Sequence, residues 1–293
     1  MMRTKGEKIF NVFNILFMCL FVVIIVLPVL FVLKMSLETG PKNVVNLSLI
    51  PKQPSLVFYG MILKKPNVSA SFLTSVQITV IGTILSIVLE AMGAYTLSNR
   101  QLPGRSLFTY MLIVPMMFGG GIVPLYLVVK AVGLMNSFWA MIIPSCISGW
   151  NIILIRNYYW SVPDSLRESA RIDGAPEFTV FMRIVLPLAK PVLAAIGLFT
   201  LVGYWNSFFN ALMFLSDPRK YPFQLVLREM ITLMQSMETQ FMQSGMSMEQ
   251  IANIDSQSFS SAMIVVSILP ILVIYPFLQK YFVKGILVGS IKG

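Results

Sequence analysis

Residues 9–33 read IFNVFNILFMCLFVVIIVLPVLFVL, a run of 25 positions without one ionisable side chain. As a helix this run is about 37 Å long, more than the roughly 30 Å hydrocarbon core of a bilayer. It is too long for a signal peptide, and no small-residue cleavage site follows it. The same texture recurs down the chain. Stretches at about 71–97, 107–129, 136–156, 191–215 and 259–281 are similarly long and charge-poor, and with 9–33 they predict six transmembrane helices. Composition agrees: 56% of the 293 residues are hydrophobic and 12% are charged, about half the charge of a soluble domain. Mean hydropathy is +0.78. A water-soluble globule, a disordered chain and a disulfide scaffold are excluded. The expected fold class is all-α, a single polytopic membrane domain over residues 1–293.

An even number of spans places both termini on one side. With the termini and alternate loops inside, 13 of the 22 Lys and Arg fall there, which favours cytoplasmic termini. The loop 157–190 is then cytoplasmic, and loops 34–70 and 216–258 are external. The net charge of +10 follows from this asymmetry. No basic stretch is interleaved with aromatics as a nucleic-acid surface would be, so no nucleic-acid partner is expected.

Much chemistry is missing. There is no His, hence no imidazole base and no His-ligated metal. Cys19 and Cys146 both lie within apolar stretches and read as packing residues. No phosphate-binding loop of the form GxxxxGK[ST] occurs, so no cofactor or metal is expected in this chain. Ion-coupled carriers need ionisable groups at membrane depth, and Glu90 alone qualifies, as an interfacial or helix-paired residue near the cytoplasmic boundary.

The cytoplasmic loop carries SVPDSLRESARIDGAPEF at 161–178 and IVLP at 184–187. Ser161 and Asp164 read as a capping box with Pro163 in the first turn. The helix they start should stop at Gly174, where a left-handed residue is needed. Pro176 opens a second helix that Pro187 ends. Leu166, Ala170 and the stem of Arg171 share one side, Arg167 and Glu168 another. Such a helix suits either a groove on a soluble partner or the lipid headgroups.

Glu168, Ser169 and Ala170, then Gly174, then Ile184, Leu186 and Pro187 reproduce the spacing E-A-A-x3-G-x9-I-x-L-P, with Ser169 for the first Ala. This resembles the coupling loop of permease subunits in binding-protein-dependent ABC importers. Arg171–Ala175, with Asp173, is similar to the maltose-permease type. The run Gly119–Tyr126, the Val132–Asn136 turn and the tail from Tyr281 to Ser290, Ile291, Lys292 and Gly293 look like the LplC-like subgroup, linked with oligo- and polysaccharide fragments. The resemblance implies a six-span fold with a cytoplasmic coupling helix that docks in a cleft of an ATPase subunit. Glu168 would pair with a basic group there, and the tail would reach between two ATPases. It also implies a second homologous permease, an extracellular or periplasmic solute-binding protein, and ATP and Mg held by the ATPase dimer. The chain would then not itself be an enzyme.

Pro115, Gly119–Gly121 and Pro124 should kink or unwind the third span, for a pathway or for close packing. Trp150, Asn151, Tyr204, Trp205, Asn206 and Asn210 combine aromatic faces with amides, as a neutral sugar requires. An aromatic belt and interhelical hydrogen bonds account for them equally. The Met-rich external loop suits contact with a binding protein. Two other classes stay open: an ion-coupled secondary transporter of a small neutral solute, and a non-transporting membrane scaffold or channel.

Overall fold

The structure is a computed structural model and describes residues 5–39, 48–243 and 256–289. The secondary structure is helical throughout, and the one strand-like pairing among the described residues is a bridge between Glu38 and Pro54. The chain divides into two compact units, residues 1–66 with 227–270 and residues 67–226 with 271–293.

In the first unit, α1 (Lys5–Ser36) presents apolar side chains outward along its whole length, and Cys19 lies on this exposed surface. Its C-terminal end is anchored by polar contacts. Lys34 Nζ lies 2.8 Å from Glu38 Oε2. Glu38 Oε1 accepts from the Lys52 N–H, while the Ser258 hydroxyl donates to the Glu38 carbonyl. Phe58 of α2 (Val57–Lys64) meets Phe259 of the helix Ser256–Gly289 edge to face.

The second unit is organised by α3 (Pro66–Ser98). Its buried seam is polar or small: Ser71, Ser75, Thr79, Ser86, Glu90 and Ala94 recur at near-helical spacing. Its exposed side carries Val80, Ile84, Val88 and Met92. This inverts the pattern of a soluble helix. Lipid tails give apolar side chains no incentive to turn inward, so small residues that let backbones approach take the packed face.

Against α3 pack α6 (Gly149–Ser161), α10 (Lys190–Trp205) and α11 (Phe209–Phe214), while α4 (Arg105–Met117) packs on α6 and α5 (Ile122–Ala131) on α11. The break expected at Gly119–Gly121 separates α4 from α5, with Gly121 at φ +81°. A pair of 3₁₀ turns (Phe138–Met141 and Ile143–Ser145) leads into α6 with a 51° bend. The segment Glu177–Leu188, made of α8 (Glu177–Val180), a π-helical turn and α9 (Leu186–Leu188), meets α10 at 78°. Among the described residues three helices are long and apolar enough to cross a membrane outright, and up to five spans result if each bent pair counts as one.

Two glycines make the packing possible. A Cβ on Gly82 would lie 2.8 Å from the Tyr204 ring, and one on Gly149 would lie 2.9 Å from the Leu112 carbonyl. Tyr204 cannot retreat, because its hydroxyl bonds Ser86 and the Ile142 carbonyl. We expect Gly82→Ala to lower the stability of the detergent-purified protein by about 1–3 kcal/mol through overpacking. Gly197→Ala, whose Cβ would meet Ile87 at an ordinary 3.8 Å, should be neutral or slightly stabilising. Thermal unfolding of the two variants side by side checks the contrast.

Candidate functional site: a membrane cavity and an exposed helix

A single core joins the two regions of interest. Ala91, Ala94 and Leu97 of α3 pack with Ile152, Ile155 and Tyr159 of α6, and Val180, Phe181 and Val185 close the cluster. The cavity lies at the N-terminal end of α6 and the exposed helix at its C-terminal end.

Glu90 is 1% exposed. Its Oε1 accepts the Ser148 N–H at 2.9 Å, and both oxygens accept from the Asn151 Nδ2 at 3.1 Å. A helix starting inside the membrane has four N–H groups without intrahelical acceptors and no water to meet them. The Ser148 hydroxyl accepts from Asn151 N, and Glu90 adds its carboxyl oxygens at the positive end of the helix dipole. Glu90 is thus the helix-paired residue of the two expected alternatives. Above it opens a cavity of about 270 Å³ whose lining includes Glu90, Ser148, Asn151, Thr200, Tyr204 and Ser207.

The structure brings two of the sequence-predicted pathway residues, Asn151 and Tyr204, into this cavity. Asn210 Nδ2 donates to Ser145 Oγ, a residue on the cavity wall. Trp205 is buried between Phe72 and Phe223 instead. Trp150 and Asn206 are exposed and do not line it. Ser148, Thr200 and Ser207 were not singled out in the sequence. Hydroxyls are common on apolar helices, and only the fold gathers these three.

The exposed helix is α7 (Asp164–Ile172). The capping box expected at its start does not form. Helix α6 continues through Ser161, whose hydroxyl turns back to the Tyr158 carbonyl. Pro163 occupies the N-cap position of α7 without a side-chain bond. The predicted faces also need correction. Arg167 turns inward, 8% exposed, and donates from Nη2 to the Tyr159 carbonyl at 2.6 Å. Leu166 and Ile172 turn outward, at 45% and 86% exposure. The last turn of α6 leaves carbonyls without partners, and a cationic side chain satisfies one of them better than a leucine can.

Gly174 sits at φ +79° with open space around it, the left-handed stop the sequence predicted. The Ala175 N–H returns to the Ala170 carbonyl, and Pro176 precedes α8 as expected. Glu168, Ser169 and Asp173 are exposed beside Gly174, while Ala170 and Ala175 rest on the shared core. Ile184 and Leu186 also pack against that core, and Pro187 lies in the last turn before the 78° bend.

A clasp closes the α7–α8 turn. Arg171 Nε donates to Glu177 Oε1 at 2.6 Å, and the Tyr95 hydroxyl donates to Oε2 at 2.7 Å. The Arg171 guanidinium and then the Tyr95 hydroxyl hold the Glu177 carboxyl below its ordinary 4.5. Glu177 in turn raises the pKa of Arg171.

Two outcomes follow from this geometry. Replacing Glu90 by Ala leaves the Ser148 N–H and the Asn151 amide without their acceptor, and should cost about 1–3 kcal/mol in thermal unfolding. Glu90→Gln keeps one acceptor oxygen and should cost less than half as much; equal losses for the two would contradict the capping role. The clasp is exposed, so Glu177→Gln should cost under about 1 kcal/mol. Because the folded pKa is depressed, that difference is full above pH 4.5 and closes as the pH falls through the lowered value. Melting temperatures of both proteins across this range check it.

Comparison with known proteins agrees with the geometry. The chain is 41% identical to Protein LplC of Bacillus subtilis (strain 168), covering 100% of this chain and 98% of that one. It is 39% identical to the polygalacturonan/rhamnogalacturonan transport system permease protein YtcP of the same organism, covering 98% and 99%. A solved bacterial ABC transporter involved in the import of the acidic polysaccharide alginate contains a chain that superposes with a TM-score of 0.80 at 28% identity, over 96% of this chain and 99% of that one. The family model for the binding-protein-dependent transport system inner membrane component matches residues 1–288. This chain, with its capped intramembrane half-helix and its exposed helix closed by Gly174, belongs to that family of transport-system membrane components.

Proposed function

We propose that the chain is one of two permease subunits of an ATP-driven importer that moves an oligosaccharide or polysaccharide fragment into the cytoplasm. The observation that carries this reading is α7, a nine-residue helix with Leu166, Glu168, Ser169 and Ile172 uncovered, in a membrane component of this family. Its uncovered face suits a groove on a soluble subunit. The spacing from Glu168 through Ser169, Ala170, Asp173, Gly174 and Ala175 to Ile184, Leu186 and Pro187 makes that subunit the ATPase. Hydrolysis, with its ATP and Mg, then belongs to the ATPase dimer, and this chain catalyses no reaction. The tail Ser290–Gly293, assigned to the ATPases by resemblance, lies outside the described residues.

Carbohydrate is favoured as cargo by the substrates named for the relatives and by the hydroxyls and amide around the cavity. Trp150, Asn151, Tyr204, Trp205, Asn206 and Asn210 are the proposed pathway, with Asn151 and Tyr204 in the cavity wall. A solute-binding protein would deliver the cargo to external loops 34–70 and 216–258. The single permease domain would cross six times, with α4 and α5 as one broken span and α10 with α11 as another. Both termini and the 157–190 loop are cytoplasmic on this topology.

The test is reconstitution with the ATPase, the second permease and the binding protein. Hydrolysis should rise when the binding protein is loaded with the correct oligosaccharide. Gly174→Val, which forces a β-branched residue into a left-handed turn, should leave the complex assembled and cut import about tenfold or more. Normal import by a variant that still binds its ATPase would overturn the coupling role.

A further inference from the structure

On the same side of the second unit as α7, three arginines gather on one indole. The guanidinium carbons of Arg156, Arg105 and Arg100 lie 4.5, 4.9 and 6.0 Å from the centre of the Trp160 ring. The ring is fixed by its Nε1–H, which donates to the Ser98 carbonyl at 2.9 Å. Arg156 makes only long contacts, to Thr109 Oγ1 at 3.5 Å and Asn157 Oδ1 at 3.4 Å, and its Nε is buried without an acceptor. Among the described residues none of the three has a carboxylate within ion-pair distance. The Trp160 face attracts each cation, yet the guanidiniums repel one another at close quarters. Three charges assembled this way, with a buried donor left over, call for an anion.

The surroundings indicate which kind. A cavity of about 580 Å³ has Arg100, Arg105 and Arg156 at one end and continues past Thr109 to Tyr110 and Ile113. It thus runs from the first residue of α4 along that helix. Helix α4 has no buried residue, and Leu107, Met111 and Val114 on it are exposed. A charged mouth at the end of an uncovered apolar helix matches a phosphate attached to acyl chains. Arginine forks bind phosphate oxygens bidentately, a tryptophan at this level belongs to the membrane interface, and basic pockets between helices hold anionic headgroups.

We propose that Arg100, Arg105 and Arg156, stacked on Trp160, form a binding site for the phosphate headgroup of an anionic phospholipid, in the leaflet on the side of α7. The site is separate from the Glu90 cavity. Bound lipid neutralises the cluster and fills the cavity along α4.

The test uses the full-length chain with its co-purifying subunits, in detergent micelles of phosphatidylcholine with about one quarter phosphatidylglycerol. Lipids retained on the complex are measured by native mass spectrometry. Wild type should retain phosphatidylglycerol in preference to phosphatidylcholine. Each arginine replaced by Gln should weaken that preference about fivefold, and the triple Lys variant, which keeps the charge without the forked donors, should recover only part of it. Should the triple Gln variant fail to insert, Arg100→Gln and Arg105→Gln singly, at the cavity mouth, carry the same expectation. Undiminished preference in the variants overturns the proposal. Displacement of the lipid by inorganic phosphate overturns it in favour of a free-anion site. Loss of the ATPase subunit with lipid retention unchanged overturns it in favour of a protein contact. None of these outcomes bears on import, so this proposal and the transport reading fail independently.

Discussion

The hydrogen bonds from Ser148 and Asn151 to Glu90 are the point on which the second unit turns. A helix that begins away from water must find acceptors for its first N–H groups within the protein. The Glu90 carboxyl, at the positive end of α6, supplies two acceptor oxygens. Once α6 is allowed to start at Gly149, the 51° bend before it and the cavity beside it follow. Glycine at 149 then admits α4 close against the new helix end. Placing a carboxylate there has a cost in desolvation, and the three hydrogen bonds offset it. With both oxygens engaged, Glu90 is poorly placed to serve as the coupling-ion ligand of a secondary carrier.

The inverted pattern of α3 shows the same constraint along a whole helix. Ser71, Ser75, Ser86 and Glu90 face inward where each hydroxyl or carboxyl finds a partner, while the Thr79 hydroxyl is buried there without one. Ser75 Oγ accepts the Phe223 N–H at 2.7 Å, and Ser86 bonds Tyr204. In water such a seam would be the solvated face. Here apolar residues lose nothing by facing outward, so close approach and hydrogen bonding decide which side packs.

Membrane class and the α7–Gly174–Pro176 turn were legible from residues alone, since run length, a left-handed stop and a proline start are local signals. The fate of Ser161 was not. A serine before Pro163 reads as a cap, but α6 extends one turn further because Tyr159 and Trp160 are anchored to α3, and that anchoring is tertiary. Arg167 was misassigned for a related reason. Periodicity grouped Leu166 with Ala170 and Arg167 with Glu168, whereas Ala170 and Arg167 turn to the core, the latter because its guanidinium reaches the Tyr159 carbonyl at the end of α6. Nor could spacing reveal the cavity, since Glu90 lies on α3, Ser148 at the N-cap of α6, and Thr200 and Ser207 on α10 and the loop after it. Only two of the residues nominated for the pathway, Asn151 and Tyr204, are on its wall.

Two helices reach from the cavity to the exposed helix, which bears on how the proposed coupling would operate. Helix α6 spans Gly149–Ser161, about 20 Å, with Asn151 in the cavity and the Tyr159 carbonyl gripped by Arg167. Helix α3 carries Glu90 at the cavity and Tyr95 on the clasp that closes α7. The interval between is packed with Ala91, Ala94, Ile152 and Ile155, small and aliphatic residues at interior density. Such packing is poorly compressible, so a displacement of α7 by a docked ATPase would be passed on as movement of helices rather than absorbed. The elements free to respond are those already bent: the junction before α6 and the 78° turn between α9 and α10. The first of these borders the cavity at Ser145 and Ser148, and the second lies at the start of α10, whose later residues Thr200 and Tyr204 line it, so a push at α7 would reach the polar chamber through α6 and α10.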